Sequence, residues 1–156
     1  MDRPSDEAEK TVASNRKARH DYEILEVIEC GVVLTGSEVK SLRAGRVALT
    51  DCYARAETGE MWLEGMNIPP YEQGDNRTHQ PVRPRKLLLH RRQIEELRSQ
   101  VAERGFSLVP LRVYFTHGIA KVELAVARGK RRHEKRHAIA KREAEREVER
   151  ELGRRR

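Results

Sequence analysis

The sequence predicts a mainly β fold: a small antiparallel barrel or partly open barrel with two accessory helices and a basic C-terminal tail. Three observations carry this expectation. Short stretches of alternating polarity recur between Tyr22 and Ala127. Two-residue turn signals, Thr58-Gly59 and His117-Gly118, separate pairs of them. At Gly129 the alternation stops and dense charge takes over.

Each element has its own signal. Residues 1–14 carry two basic and four acidic residues without periodicity, and are expected to be disordered. Asn15–His20, NRKARH, is a compact basic segment leading into the fold. Tyr22–Glu29 alternates with apolar residues on both faces and reads as a strand; Gly31 interrupts it before extended structure resumes. Thr35-Gly-Ser-Glu38 has capping-box spacing, Val39 and Leu42 follow three apart, and Gly45 is a stop, which predicts a helix of about two turns. Ala48–Glu57 and Glu60–Ile68 read as a hairpin about Thr58-Gly59. Residues 69–84 hold four of the six prolines and read as a long loop. Arg85–Leu89 re-enters the fold, and His90–Glu103 is a helix with Ile94, Leu97 and Val101 on one face, ended by Gly105. Ser107–Thr116 and Ala120–Ala127 are strands about His117-Gly118, with Val122, Leu124 and Val126 on one side and Lys121, Glu123 and Ala125 on the other. Five or six short strands with two helices suit a small β-barrel; an OB-like barrel is one solution, and a ferredoxin-like sandwich competes with it. The folded unit is taken as residues 15–128 and the tail as 129–156.

Charge is distributed unevenly. The net charge is +7, and residues 129–156, with 12 basic and six acidic residues, contribute +6 of it. A localised cationic tail attracts polyanions through counterion release; the competing reading is a solvated tail that aids solubility. Within it, residues 141–152 repeat as KREA, EREV and EREL, so that Ala140, Ala144, Val148 and Leu152 form one thin apolar stripe on a helix. That stripe is too narrow to dock firmly on a barrel, and the tail is expected to be a conditional helix that becomes ordered in a partner.

Cys30 and Cys52 lie in apolar surroundings with no CxxC, and read as reduced core thiols. The acidic N-terminus has no apolar run of signal-peptide type, and no stretch approaches the roughly 20 apolar residues of a membrane span, so a cytoplasmic protein is expected.

Few constellations point to chemistry. His133-Glu-Lys-Arg-His137 is literally HExxH, which on a helix can hold zinc with the glutamate as base. Here it lies among cations that repel a dication, without an apolar shell or an evident third ligand, so no metal, cofactor or catalytic set is expected. The plain reading is a basic tail segment with two exposed histidines; the more pointed one has His133 stack on a base or touch a phosphate. There is no GxSxG, P-loop or GxGxxG, and only seven aromatic residues, too few to suggest a stacking platform of the RRM kind. In NRKARH, Arg16, Lys17 and Arg19 suit phosphate contact, and Asn15 and His20 suit base or sugar edges; a solvated cluster is the alternative. Glu29, at a strand end beside Gly31, could accept from base amino groups or simply be solvated.

Seven strings together resemble the SsrA-binding protein (SmpB) family: NRKARHDYEILE, VLTGSEVKSLRAGR, PYEQG, RPRKLLLH, LVPLRVYF, KVELAVARGK and HEKR. They occur in the family's order across residues 15–136, about three quarters of the chain. The resemblance implies an OB-like barrel and a role outside catalysis. It implies binding to the transfer-RNA-like domain of transfer-messenger RNA, and delivery with elongation factor Tu and GTP to the A site of a stalled ribosome. The tail then probes an empty messenger channel. Position by position, it assigns RNA contact to Asn15, Arg16, Lys17, Arg19, His20, Glu29, Leu88, Lys121, Gly129 and Lys130. It assigns Arg131, His133, Glu134, Lys135 and Arg136 to the small-subunit decoding centre and messenger channel. The family usually has aspartate where this chain has Glu134, which keeps the charge and lengthens the reach by one methylene. Nothing in the sequence demands more than a monomer.

Overall fold

The computed structural model describes residues 9–71, 79–130 and 132–154; within 132–154, side chains are described for 142–153. These residues form seven antiparallel strands and four helices: β1 Glu9–Ser14, α1 Arg16–Asp21, β2 Tyr22–Val32, α2 Gly36–Arg43, β3 Tyr53–Glu57, β4 Glu60–Glu64, β5 Arg85–Leu88, α3 Arg91–Arg104, β6 Ser107–Thr116, β7 Ile119–Gly129 and α4 Arg132–Arg154.

The strands follow the order β1-β6-β3-β4-β5-β2-β7, and β7 pairs back onto β6. Six strands therefore close a hydrogen-bonded ring, with β1 attached outside it. The ring is unevenly sealed: β2–β7 and β6–β7 are long ladders, whereas β2–β5 rests on two residue pairs and β3–β6 on the pair Ala54–Leu108. This is a strongly coiled sheet with thin seams rather than a uniformly laddered cylinder. Its return through β6–β7 is incompatible with the open sheet of a ferredoxin-like sandwich.

The hairpins form where turn chemistry predicts. Glu57 pairs with Glu60 and Thr116 with Ile119, leaving two-residue loops. Thr58-Gly59 and His117-Gly118 all have positive φ, between 50° and 76°, as type I′ turns require. Alternation places Val122, Leu124 and Val126 inside, against Cys30, Leu63, Leu87 and Val113. Leu42 of α2 and Ile94 and Leu97 of α3 complete this core. Val101, expected on the same face of α3, is exposed and lines a cleft of about 660 Å³ with Tyr53 and Phe106.

Four expectations are corrected. Residues 1–14 are not all without order, because Glu9–Ser14 pairs with β6 from Thr116 to Arg112. β6 is longer than its partner β3 can cover, and the free stretch of its edge offers backbone groups that a polar segment can satisfy. Residues 1–8 lie outside the described residues. The strand expected over Ala48–Glu57 begins only at Tyr53, because Asp51 takes φ 61° and Cys52 N–H donates to Leu49 O at 3.2 Å, a turn; Ala48 makes only an isolated bridge to Asn67. β4 likewise stops at Glu64 rather than Ile68. NRKARH, read as a compact segment, is a short helix, so among the described residues three helices accompany the sheet rather than two, besides the helix of the tail.

Beneath the proline-rich loop, of which residues 72–78 lie outside the described residues, sits a buried ion cluster. The capping box of α2 is formed: Thr35 Oγ1 accepts from Glu38 N–H at 3.3 Å, and Glu38 Oε1 accepts from Thr35 N–H at 2.8 Å. The same carboxylate accepts from Arg85 Nε at 2.8 Å and from Arg83 Nη2 at 2.5 Å. Arg85, 0% exposed, also donates to Met66 O and, at 2.9 Å, to Pro81 O. Burial alone would raise the Glu38 pKa, but the Arg83, Thr35 and Arg85 donors outweigh it and hold the carboxyl at about 2. Burial pushes the thiols of Cys30 and Cys52 up to about 12, and neither forms a disulfide, in line with inert core cysteines.

Candidate nucleic-acid interface

Helix α1 exists because Asn15 caps it. Asn15 Oδ1 accepts from Ala18 N–H at 3.2 Å, Nδ2 donates to Leu49 O at 3.2 Å and Pro110 O at 3.0 Å, and the backbone N–H donates to Leu111 O at 2.7 Å. Asn15 is 7% exposed. Its side-chain amide and backbone N–H are thus committed to the fold. Pro110, which has no N–H to place in a ladder, sits at the β6 bulge and supplies its carbonyl to this bond.

Ala18 then packs on Val109, Leu111, Ala125 and Ala127, on the outer surface of the sheet. This seats α1 on β6 and β7 and turns its cations outward. Arg16 is exposed. Lys17 Nζ lies 3.1 Å from Asp51 Oδ1, and that hydrogen bond raises the lysine's pKa. Arg19 lies 3.5 Å from Glu123, and His20 Nδ1 lies 2.8 Å from Asp21 Oδ1.

Register assembles the remaining positions. Residues directly opposite in antiparallel strands share a face. Leu88 pairs with Gly31, Gly31 with Lys121, Lys121 with Tyr114, and Tyr114 with Thr11, one row running across β5, β2, β7, β6 and β1. The next row pairs Glu29 with Glu123 and Glu123 with Arg112. Arg19, Glu29, Leu88 and Lys121 therefore meet on one outer face. Leu88 is 51% exposed, although the run RKLLLH reads as core; Leu87 beside it is buried. Gly31 leaves room for this side chain, because a Cβ at that position would stand 3.1 Å from Leu88 Cβ and press on it. Val27, two residues from Glu29, adds a second exposed apolar side chain.

The tail begins beside this face. Gly129 pairs with Tyr22, Lys130 N–H donates to Asp21 O at 3.0 Å, and Lys130 Nζ reaches Arg19 O at 3.4 Å. Helix α4 follows for 23 residues, roughly 34 Å. Residues 142–153 of it are exposed throughout. His133, Glu134, Lys135 and Arg136 lie in its first turns, where side chains are outside the described part; Arg131 lies outside the described residues. The HExxH side chains fall in that same part. Among the described residues, no cluster of three or more His, Cys, Asp or Glu could hold a metal ion, and no helix is long and apolar enough to cross a membrane.

Three contributors to the face were missed in the sequence: Arg112, Tyr114 and the pairing of Glu123. Tyr114 OH donates to Glu29, and the Arg112 guanidinium lies 4.0 Å over the Tyr114 ring. Arg112 Nε donates to Glu123 at 2.7 Å, and Arg112 also meets Glu9 at 2.5 Å and Thr11 Oγ1 at 3.1 Å. Period-two alternation along β6 puts Arg112 and Tyr114 on one face, but does not show that Tyr114 reaches across β7 to Glu29.

A coiled antiparallel sheet carrying a cationic helix on its outer face and a basic helical extension at its margin has the make-up of an RNA-binding module. Comparison narrows this further. The model of the SmpB protein family matches residues 12–154, and the chain belongs to that family. The SsrA-binding protein of Desulforudis audaxviator (strain MP104C) is 59% identical over 128 residues, 82% of this chain and 84% of the relative. That of Acidothermus cellulolyticus (strain ATCC 43068 / DSM 8971 / 11B) is 55% identical over 146 residues, 94% of this chain and 92% of the relative. A chain from the solved structure "tmRNA-SmpB: a journey to the center of the bacterial ribosome" superposes with a TM-score of 0.65 at 50% identity, covering 81% of this chain and 93% of that one.

Proposed function

We propose that this protein binds the transfer-RNA-like domain of transfer-messenger RNA and brings it to ribosomes stalled without a usable codon, so that the nascent peptide is tagged and the ribosome released. The observation that carries this reading is the gathering of Arg19, Glu29, Leu88 and Lys121 on one outer face, beside the root of the tail at Lys130, in a chain of the SmpB family.

On this reading Arg16, Lys17, Arg19 and Lys130 meet phosphates, His20 and Gly129 lie at the margin of the contact, and Leu88 offers an apolar surface to an unstacked loop base. Asn15 acts through α1, which it caps. Elongation factor Tu with GTP joins through the RNA. The protein works in the cytoplasm as a monomer and performs no catalysis.

The tail supplies discrimination. A vacant messenger channel is walled by phosphates and takes in a cationic helix; a messenger filling the channel excludes it by volume and by charge. Arg131, His133, Glu134, Lys135 and Arg136 would then meet the decoding centre and channel. Ordering a peptide costs about 1–2 kcal/mol per residue, which a confined site with many contacts offsets.

Because β7 runs to Gly129 and Lys130 bonds back to Asp21, the informative truncation falls after Lys130. Removing residues 131–156 is expected to leave binding of transfer-messenger RNA within about threefold of the full chain while abolishing peptide tagging in a reconstituted stalled system. Equal loss of both activities, or equal affinity of the full chain for unrelated RNAs of the same size, refutes the proposal.

A further inference from the structure

We propose that Tyr114, clamped by Arg112, is a positioning residue that aims the Glu29 carboxylate at the amino edge of an RNA base, and that the N-terminal strand is part of the clamp. This rests on the reading of the outer face as an RNA surface.

Two carboxylates, Glu29 and Glu123, stand directly opposite one another on that face. Like charges so placed repel each other and repel phosphate. Their surroundings differ. Glu123 is neutralised by Arg112 at 2.7 Å and Arg19 at 3.5 Å. Glu29 is exposed and receives the Tyr114 hydroxyl on Oε2. An ionised carboxylate only accepts hydrogen bonds, so Glu29 faces outward with Oε1 suited to a donor and ill suited to phosphate. Amino and imino groups on a base edge are such donors. Val27, two residues before Glu29, and Leu88, set against Gly31 two residues after it, are 48% and 51% exposed. They flank the carboxylate along the strand and offer apolar support to a base lying on the sheet.

Tyr114 can aim this group because it is itself fixed. It is 2% exposed, and Arg112 lies 4.0 Å over its ring. Arg112 is held in turn by Glu123 in β7 and by Glu9 and Thr11 in β1. The chain of contacts runs from β1 through Arg112 and Tyr114 to Glu29. Holding an exposed glutamate in one rotamer before RNA arrives removes an ordering cost from binding.

A double-mutant cycle in the full-length protein tests this, with dissociation constants for transfer-messenger RNA measured at several salt concentrations. Tyr114→Phe is expected to weaken binding roughly tenfold in the native background and less than twofold on top of Glu29→Gln. The slope of affinity against salt stays unchanged, because no phosphate contact is lost. Arg112→Gln, which leaves Tyr114 and its hydroxyl in place, is expected to show the same dependence on Glu29 at smaller size, and it serves if Tyr114→Phe fails to fold. Equal weakening in both backgrounds, or no weakening by either variant, overturns the clamp while leaving the RNA-binding reading standing. Failure of the unaltered protein to prefer transfer-messenger RNA over transfer RNA overturns both.

Discussion

Replacing Glu38 by Gln is the most revealing single change in the fold. Arg85 is 0% exposed and Glu38 is 2% exposed, and the two meet through two guanidinium donors at 2.8 and 2.5 Å. Losing the charge leaves a buried guanidinium with only carbonyl partners at Met66, Gln80 and Pro81. Breaking one side of a buried pair costs about 3–5 kcal/mol. Glutamine keeps an oxygen that can still cap α2, so the loss should fall near the lower end. For a sheet domain of this size, about 3 kcal/mol lowers the melting temperature by on the order of 10 °C. Thermal and urea unfolding followed by circular dichroism reads both quantities. The companion Glu38→Gln/Arg85→Met, which removes the orphaned cation, should recover a large part of the loss. A single variant within about 2 °C of the native protein, or a double variant worse than the single, would refute the assignment of this pair as a coupled internal bridge.

The same cluster makes stability pH-dependent. Glu38 titrates at about 2 in the folded chain against an ordinary value of 4.5, so its contribution is complete above pH 4.5 and is lost as pH falls toward 2. Urea midpoints measured across that window should fall by the equivalent of roughly 3 kcal/mol, and Glu38→Gln should flatten the slope. Adjacent leucines should separate packing from binding. Leu87→Ala is expected to cost about 2–5 kcal/mol in unfolding experiments, whereas Leu88→Ala costs under about 1 kcal/mol yet weakens RNA binding several-fold. Asn15→Ala removes a cap and the amide donor shared by the Leu49 and Pro110 carbonyls, for a loss of about 1–2 kcal/mol in the same assay. A loss of RNA affinity without loss of stability would instead restore Asn15 as a direct contact.

Elements whose signals are local were legible from the residues alone. Thr35 and Glu38 announce α2 by spacing, and Thr58-Gly59 and His117-Gly118 announce two hairpins by turn chemistry. Elements that depend on distant partners were not. Glu9–Ser14 carries no pattern of its own and becomes a strand because β6 leaves an edge uncovered roughly a hundred residues later. Asn15 looks like a polar side chain available to a ligand until its partners at Leu49 and Pro110 are known. The break at Asp51 is a backbone conformation that no residue nearby demands. At the site, resemblance to the family picked out Arg19, Glu29, Leu88 and Lys121, but it did not supply the reason for their meeting. That reason is the register of β5, β2 and β7, with Arg19 brought in by the seat of α1 beside Glu123. The Tyr114–Glu29 bond joins residues 85 apart and is invisible to any window of sequence.

Strand β7 has a bearing on how this chain must be made. It is among the last parts of the sheet to be synthesised, yet it supplies the long ladders to both β2 and β6, and β1 in turn needs the end of β6. Vectorial synthesis therefore releases most of the sheet with no place to close, and folding waits for residues close to Gly129. A product cut short before Val122 by a damaged message lacks nearly all of the β2–β7 and β6–β7 ladders and stays open to proteolysis. A protein proposed to clear unfinished translation thus depends, for its own shape, on being translated nearly to the end.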